Sequence, residues 1–148
     1  MKTILIADDD VVSRKILKQI CQKLGYNVIE CENGEKALGV FRKKNIQILI
    51  SDWMMPNMDG ISLCEKIRNG LERDDAFIFL ITGKKKGLKH YTKALAAGVD
   101  DFLYKPVDFY VFRNQLRVAE KILAVKEGKN DRRVKEEIYV NETESSRN

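Results

Sequence analysis

The stretch that most restricts this chain is Ile46–Gly60, which reads Ile-Gln-Ile-Leu-Ile-Ser-Asp-Trp-Met-Met-Pro-Asn-Met-Asp-Gly. A short apolar run rich in β-branched residues stops at Ser51 and Asp52, and turn-forming residues follow at once. That pattern reads as a buried strand ending in a carboxylate. Pro56 lacks the N–H that a sheet ladder needs, so the chain must leave the strand before it. Open α/β sheets bind their ligands at the C-terminal ends of their strands. Asp52 is therefore the first candidate for chemistry, with simple turn capping as the plain alternative.

At 148 residues the chain suits one domain with some length to spare. No apolar run approaches the roughly 20 residues of a membrane span. The amino-terminal residues also lack the apolar length and small-residue cleavage site of a signal peptide, so the expected compartment is the cytoplasm. Cys21, Cys31 and Cys64 form no Cys-x-x-Cys pair, and with the single His90 they offer no zinc spacing. They read as small core fillers. The net charge is +5, and residues 128–148 contain five basic and five acidic side chains, so the excess lies in residues 1–127. Part of it is the run Lys84, Lys85, Lys86, Lys89 and Lys93, read as a solvated helix face or as a docking patch for an acidic partner. Without aromatic interleaving beyond Tyr91, it does not point to direct nucleic-acid binding.

Five short apolar runs alternate with stretches of helical periodicity, the pattern of a parallel sheet covered on both faces. The runs are Thr3–Ala7, Asn27–Cys31, the opening stretch, Phe77–Ile81 and Asp101–Tyr104. The intervening helices are expected to bury Ile16, Leu17, Ile20 and Leu24; then Ala37, Leu38 and Phe41; then Ile61, Leu63, Cys64 and Ile67. A fourth, thinly apolar helix would use Leu88, Tyr91, Leu95 and Ala96. The last would run through Phe112, Leu116, Ala119, Ile122 and Leu123 to about Lys126. Asn33, Asp59 and Asp108 stand where N-caps belong. The domain is expected over residues 1–127, with residues 128–148 as a charged tail or linker, disordered or a helical extension.

In a parallel sheet, residues that close successive strands gather at one edge. Here those closers are Asp8, Asp9 and Asp10, then Asp52, Thr82 and Lys105. Crowding Asp8, Asp9 and Asp52 is costly without a cation, and a hard divalent ion with oxygen ligands, Mg²⁺ above all, is the natural remedy. A carboxylate beside such an ion, with a hydroxyl and an ammonium at hand, is equipped to accept a phosphoryl group. Asp52 would be the nucleophile, and Thr82 and Lys105 would bind the transferred oxygens. Each residue alone is a weak signal; their placement at four of five strand ends is the argument.

Ile4-Leu-Ile-Ala-Asp-Asp-Asp10, Asp52-Trp-Met-Met-Pro-Asn-Met-Asp-Gly60, Leu80-Ile-Thr-Gly83 and Lys105-Pro106 together resemble the receiver domain of two-component response regulators, over roughly residues 2–126. The resemblance implies a flavodoxin-like, doubly wound, five-stranded parallel sheet with strand order 2-1-3-4-5 and five helices. It implies that Asp52 accepts phosphate from a histidine kinase or phosphotransfer protein. Asp9, Asp52 and the Met54 carbonyl would bind Mg²⁺, with Asp8 acting through water. Thr82 would be the switch hydroxyl, Phe102 the aromatic that follows it, and Lys105-Pro106 a cis peptide. Such a domain is no enzyme beyond its own phosphorylation and dephosphorylation. It reports through the surface of helix 4, strand 5 and helix 5, to an output domain, a partner protein or a second copy in a homodimer.

Phe102 lacks the hydroxyl that many members carry there, which removes one hydrogen bond. Met54 and Lys84 occupy positions that tune the acyl phosphate's lifetime, and an apolar Met54 cannot orient water, so slow self-dephosphorylation is expected. Two rival readings exist. Asp8-Asp-Asp-Val-Val12 fits the signature of haloacid-dehalogenase-type phosphatases with Asp8 as nucleophile, and a receiver-shaped binding module can work without phosphate.

Overall fold

Strand formation follows the apolar content of the five runs, rich in β-branched residues in all but Asp101–Tyr104, and their alternation splits the core into two layers. The computed structural model describes the backbone of residues 2–147 and the side chains of residues 2–128. The strands are β1 (Thr3–Ala7), β2 (Asn27–Cys31), β3 (Ile48–Asp52), β4 (Phe77–Thr82) and β5 (Asp101–Tyr104). All neighbours pair in parallel, in the order β2-β1-β3-β4-β5. The expected doubly wound sheet and its strand order are borne out. On one face Ile4, Ile6, Ile48, Ile50, Phe79 and Ile81 pack with Leu17, Cys21, Phe112 and Leu116. On the other, Leu5, Leu49, Ile78 and Leu80 pack with Ala37, Phe41, Leu63, Ile67 and Ala94. Side chains two apart in a strand share a face, so each strand feeds both cores.

The helices are α1 (Val11–Lys23), α2 (Gly34–Lys43), α3 (Gly60–Glu65, continued by a π-helical turn over Lys66–Gly70), α4 (Leu88–Ala96) and α5 (Phe109–Arg147). Most start on a side-chain cap. Asp10 accepts from Ser13 N, Asn33 from Lys36 N, Asp59 from Ser62 N and Asp108 from Val111 N, at 2.8 to 3.2 Å. Each cap satisfies an amide that the first turn would leave without a partner. Gly25 (φ 93°) and Gly98 (φ 104°) supply left-handed residues just past α1 and α4.

Three expectations need correction. Ile16 and Ile122, counted with the core stripes of α1 and α5, are 50% and 39% exposed; of each neighbouring pair only the other member, Leu17 or Leu123, is buried. Leu88 and Leu95, placed on the buried stripe of α4, are 82% and 55% exposed; α4 meets the sheet through Ala94, with Tyr91 half-buried beside it. Lys84, Lys85 and Lys86 are not on a helix, because α4 begins at Leu88 after Gly87. The last helix runs on past Lys126 to Arg147, as the helical-extension alternative has it, while the side chains of the tail lie outside the described residues. All three cysteines are free and buried. No described helix is long and apolar enough to cross a membrane.

Candidate functional site

Because β1, β3, β4 and β5 run the same way, their C-terminal ends bring Asp8, Asp9, Asp52, Thr82 and Lys105 to one edge of the sheet. Asp8 is fully buried, Asp52 is 9% exposed and Thr82 4%, whereas Asp9 is exposed. One oxygen from each of Asp8, Asp9 and Asp52 lies within 4.8 Å of the others. Lys105 reaches over from the end of β5, its Nζ standing 3.2 Å from Oδ2 of Asp8 and 3.2 Å from Oδ2 of Asp52. It donates a directed hydrogen bond to Asp52, while Asp8 Oδ2 is buried without one.

The charge count explains the electrostatics. Burial, followed by the negative charge of Asp8, pushes the Asp52 carboxyl up to about 6, against the pull of Lys105. Burial by itself would lower the Lys105 ammonium, but Asp52 and Asp8 outweigh it and raise it. One ammonium therefore serves two carboxylates that water barely reaches. A hard divalent cation fits this set: three carboxylate oxygens converge, Asp8 carries a buried oxygen that lacks a hydrogen-bond donor, and such ions take oxygen ligands.

The surroundings hold these groups in place. Trp53 N donates to Ile81 O and Gly60 N to Trp53 O, both at 2.9 Å, which folds the Met54–Asp59 loop back onto β3. Gly60 has to be glycine here: a Cβ would lie 2.5 Å from Asp52 O and 2.6 Å from Leu80 Cδ2. Met54 stands in that loop with its side chain 64% exposed. Lys105 N donates to Thr82 O at 2.9 Å, and the Lys105–Pro106 peptide is cis. The Thr82 hydroxyl does not reach Asp52 but closes a local turn, donating to Lys84 O at 3.0 Å and accepting from Lys84 N at 3.2 Å. Phe102 stacks on Trp53 (centroids 5.8 Å apart, 23° between planes) and meets the edge of Tyr91 at 5.0 Å.

Sequence reading missed Arg14 and Glu30. Arg14 Nη1 donates to Asp8 O at 2.7 Å and its Nε to Glu30 at 3.3 Å. Glu30 also takes Lys15 and Lys18, and these ammonium groups outweigh the burial that would raise it, holding its carboxyl below the usual range. The end of β1 is thereby clamped from the β2 side. Four residues beyond the cap Asp10, a basic residue faces back along the helix, and that spacing was the available signal.

A family model described as the response regulator receiver domain matches residues 4–117. The chain is 33% identical over 115 residues to the chemotaxis protein CheY homolog of Campylobacter jejuni, covering 76% of this chain and 88% of that one. It is 35% identical over 111 residues to a cyclic di-GMP phosphodiesterase of Thermotoga maritima, covering 75% of this chain but 29% of that protein. It is 36% identical over 123 residues to the probable transcriptional regulator ycf27 of Pyropia yezoensis, covering 80% of this chain and 49% of that one. The chain thus spans less than half of these two longer relatives. Among solved structures, the signal receiver domain of an HD domain-containing protein from Pseudomonas fluorescens superposes with a TM-score of 0.76 at 26% identity, over 84% of this chain and 98% of that one. The match to the receiver model over most of the chain, with the strand-end acids in one cluster, means that this chain belongs to the response regulator receiver family of two-component systems.

Proposed function

We propose that this receiver accepts a phosphoryl group on Asp52 from a histidine kinase or phosphotransfer protein, in a reaction that requires Mg²⁺. The observation that carries the reading is the shared ammonium: Asp8 and Asp52 both lean on Lys105, and Asp8 Oδ2 is left buried without a donor. Asp8, Asp9, Asp52 and the Met54 carbonyl are the residues that would hold the ion, Asp8 through water. When bound, it supplies charge neutralisation for the phosphoryl oxygens.

Asp52 is the nucleophile because it alone of the two buried acids keeps some access to solvent. An Asp52 oxygen forms a bond to phosphorus as the P–N bond to the donor imidazole breaks, and the leaving nitrogen takes up a proton from water. Lys105, already 3.2 Å from Asp52, follows the charge onto the phosphoryl oxygens. Thr82 turns from its bonds to Lys84 toward a phosphoryl oxygen, and the released Lys84 backbone then lets the loop before α4 and Phe102 rearrange.

Val11, Val12 and Ile16 on α1 are 56%, 66% and 50% exposed. Beside them a cavity of about 380 Å³ opens between Ile16, Leu17, Pro106 and Val107, with Lys105 on its wall. This apolar rim next to the acids supports docking of a protein donor. Met54 offers no group to orient water, so the phosphoryl group should leave slowly. The domain is assigned to residues 1–127 and to the cytoplasm, and its activity extends no further than its own phosphorylation state.

Intact mass after incubation with Mg²⁺ and a small phosphodonor tests the reading. Wild type should gain one phosphoryl group and Asp52→Asn none. A gain in both proteins would move the acceptor elsewhere, and a gain in neither would favour a module that works without phosphate.

A further inference from the structure

Arg113, Arg117 and Lys121 follow one another at intervals of four along α5, so they stand in one row on the helix. That row and Leu116, which is 3% exposed, form one wall of a cavity of about 440 Å³. Leu24 and Tyr26, in the turn between α1 and β2, form the other. The cavity therefore lies toward the N-terminal end of β2, the end of the sheet away from Asp52.

Among the described residues no carboxylate pairs with Arg113, Arg117 or Lys121. The one acid in the lining, Glu120, is already engaged: Lys2 Nζ stands 3.4 Å from it, and the Tyr26 hydroxyl donates to it at 2.9 Å. Arg113 is the least finished group. Its Nε is buried and meets no hydrogen-bond acceptor, and its guanidinium lies against the Tyr110 ring, 5.2 Å from the centroid. A buried donor left without an acceptor is costly, and an oxyanion in the cavity would give that fork the partner the protein withholds.

We propose that this cavity binds a small phosphate monoester with a flat, largely apolar body, of the size of a nucleoside monophosphate. Its phosphoryl oxygens accept from Arg113 and Arg117, Lys121 adds charge at the rim, and the body lies against Leu24, Leu116 and the ring of Tyr26. A guanidinium fork matches phosphoryl oxygens in pairs. Three cations beside one engaged acid favour a dianion over a single carboxylate, and the volume is that of a small-molecule site. Inorganic phosphate alone would leave the apolar wall uncovered. Burial, reinforced by Glu120, pushes the Tyr26 hydroxyl up from its ordinary value, so it stays neutral beside a bound anion. The cavity shares no residue with the acidic cluster around Asp52, so it stands or falls independently of the phosphoryl-transfer reading.

The test is calorimetric titration of the full chain, in chelator, with adenosine 5′-monophosphate, adenosine and inorganic phosphate. Chelator keeps the acidic cluster from gathering phosphate through a metal ion. Wild type should bind the monophosphate with a Kd on the order of 0.1 mM or tighter, and adenosine and phosphate each roughly tenfold more weakly or worse. Arg113→Gln with Arg117→Gln should weaken binding by roughly tenfold or more. Arg117→Glu with Lys121→Glu, at two exposed positions, should do the same and serves if the first variant fails to fold. Lys84→Glu with Lys85→Glu, before α4, lowers the net charge as much without touching the cavity and should bind like wild type, as should Asp52→Asn. In ¹H–¹⁵N spectra the monophosphate should shift the amides of residues 24–26 and 113–121. No binding at about 1 mM, phosphate bound as tightly as the monophosphate, an equal loss in the Lys84 and Lys85 variant, or shifts centred on Asp52 would each overturn the proposal. So would tighter association with phosphatidic acid vesicles than with the monophosphate, which would assign the arginines to a lipid headgroup.

Discussion

Two charged clusters sit at opposite ends of the same sheet, and they are finished differently. At the N-terminal ends of β4 and β5, Arg68 donates to Gly98 O, Arg73 O, Ala76 O and Asp100, at 2.7 to 3.1 Å. Asp100 in turn accepts from Ile78 N at 2.8 Å. Every arm of that guanidinium is used. At the C-terminal ends, two carboxylates share one ammonium and a buried oxygen goes without a donor. A closed network adds stability, whereas an open one keeps electrostatic strain that a ligand can relieve. The fold thus spends similar side chains on a rivet at one end and on a receptor at the other.

Opposite responses to mutation should expose this contrast. The largest effect is expected for Arg68→Ala, which takes the side-chain donor from three carbonyls and the cation from Asp100. We expect a loss of about 3 kcal/mol in urea unfolding; a loss below about 1 kcal/mol would mean that water replaces the guanidinium.

The acidic end should respond with the other sign. The native fold holds the Asp52 proton up to about pH 6, above the ordinary 3.8, so unfolding releases a proton between those values. Stability therefore falls as pH rises through that window and stays low above it. Asp52→Asn should be more stable than wild type by roughly 2 kcal/mol at pH 7.5 with chelator present. The gap should close toward pH 4 and narrow when Mg²⁺ is added. A destabilised Asp52→Asn would contradict the strained-site account.

A smaller effect is expected at the β1 clamp. Glu30→Gln removes the partner of Lys15 and Lys18, for a loss of about 1 kcal/mol at neutral pH. Since the Glu30 carboxyl is held below its ordinary 4.5, that contribution should fade as pH falls below this value. Smallest of all should be truncation after Gly128. Lys126 donates to Asp74 O at 2.8 Å and Gln47 to Glu127 at 2.9 Å, so those anchors are kept. The unfolding midpoint should move by less than about 0.5 kcal/mol equivalent.

Much of this was legible beforehand because the signals are local. Runs such as Ile48–Ile50 and Phe77–Ile81 announce buried strands, and parallel topology then carries Asp8, Asp52 and Lys105 to one edge without further information. Long-range geometry was not legible. Nothing near Arg68 announces that its guanidinium will cap Gly98, 30 residues on. Helical spacing placed Leu88 and Leu95 on the core side of α4, but spacing fixes only that they share a face, and the side chains that meet the sheet are Ala94 and Tyr91. The expectation for Thr82 concerned a transferred oxygen and said nothing of its bond within the chain. A hydroxyl two residues before a free backbone amide has a nearer partner, and it takes Lys84.

Trp53 is the only tryptophan in the chain. It directly follows Asp52, its ring is 3% exposed, and it touches Phe102 on one side and Lys86 on another. Its indole emission should therefore register events at both ends of the path it occupies, cation loading beside the carboxylates and displacement of the lysine loop. The molecule comes with a label-free optical gauge, and stopped-flow fluorescence can time the order of those two events in the unaltered protein.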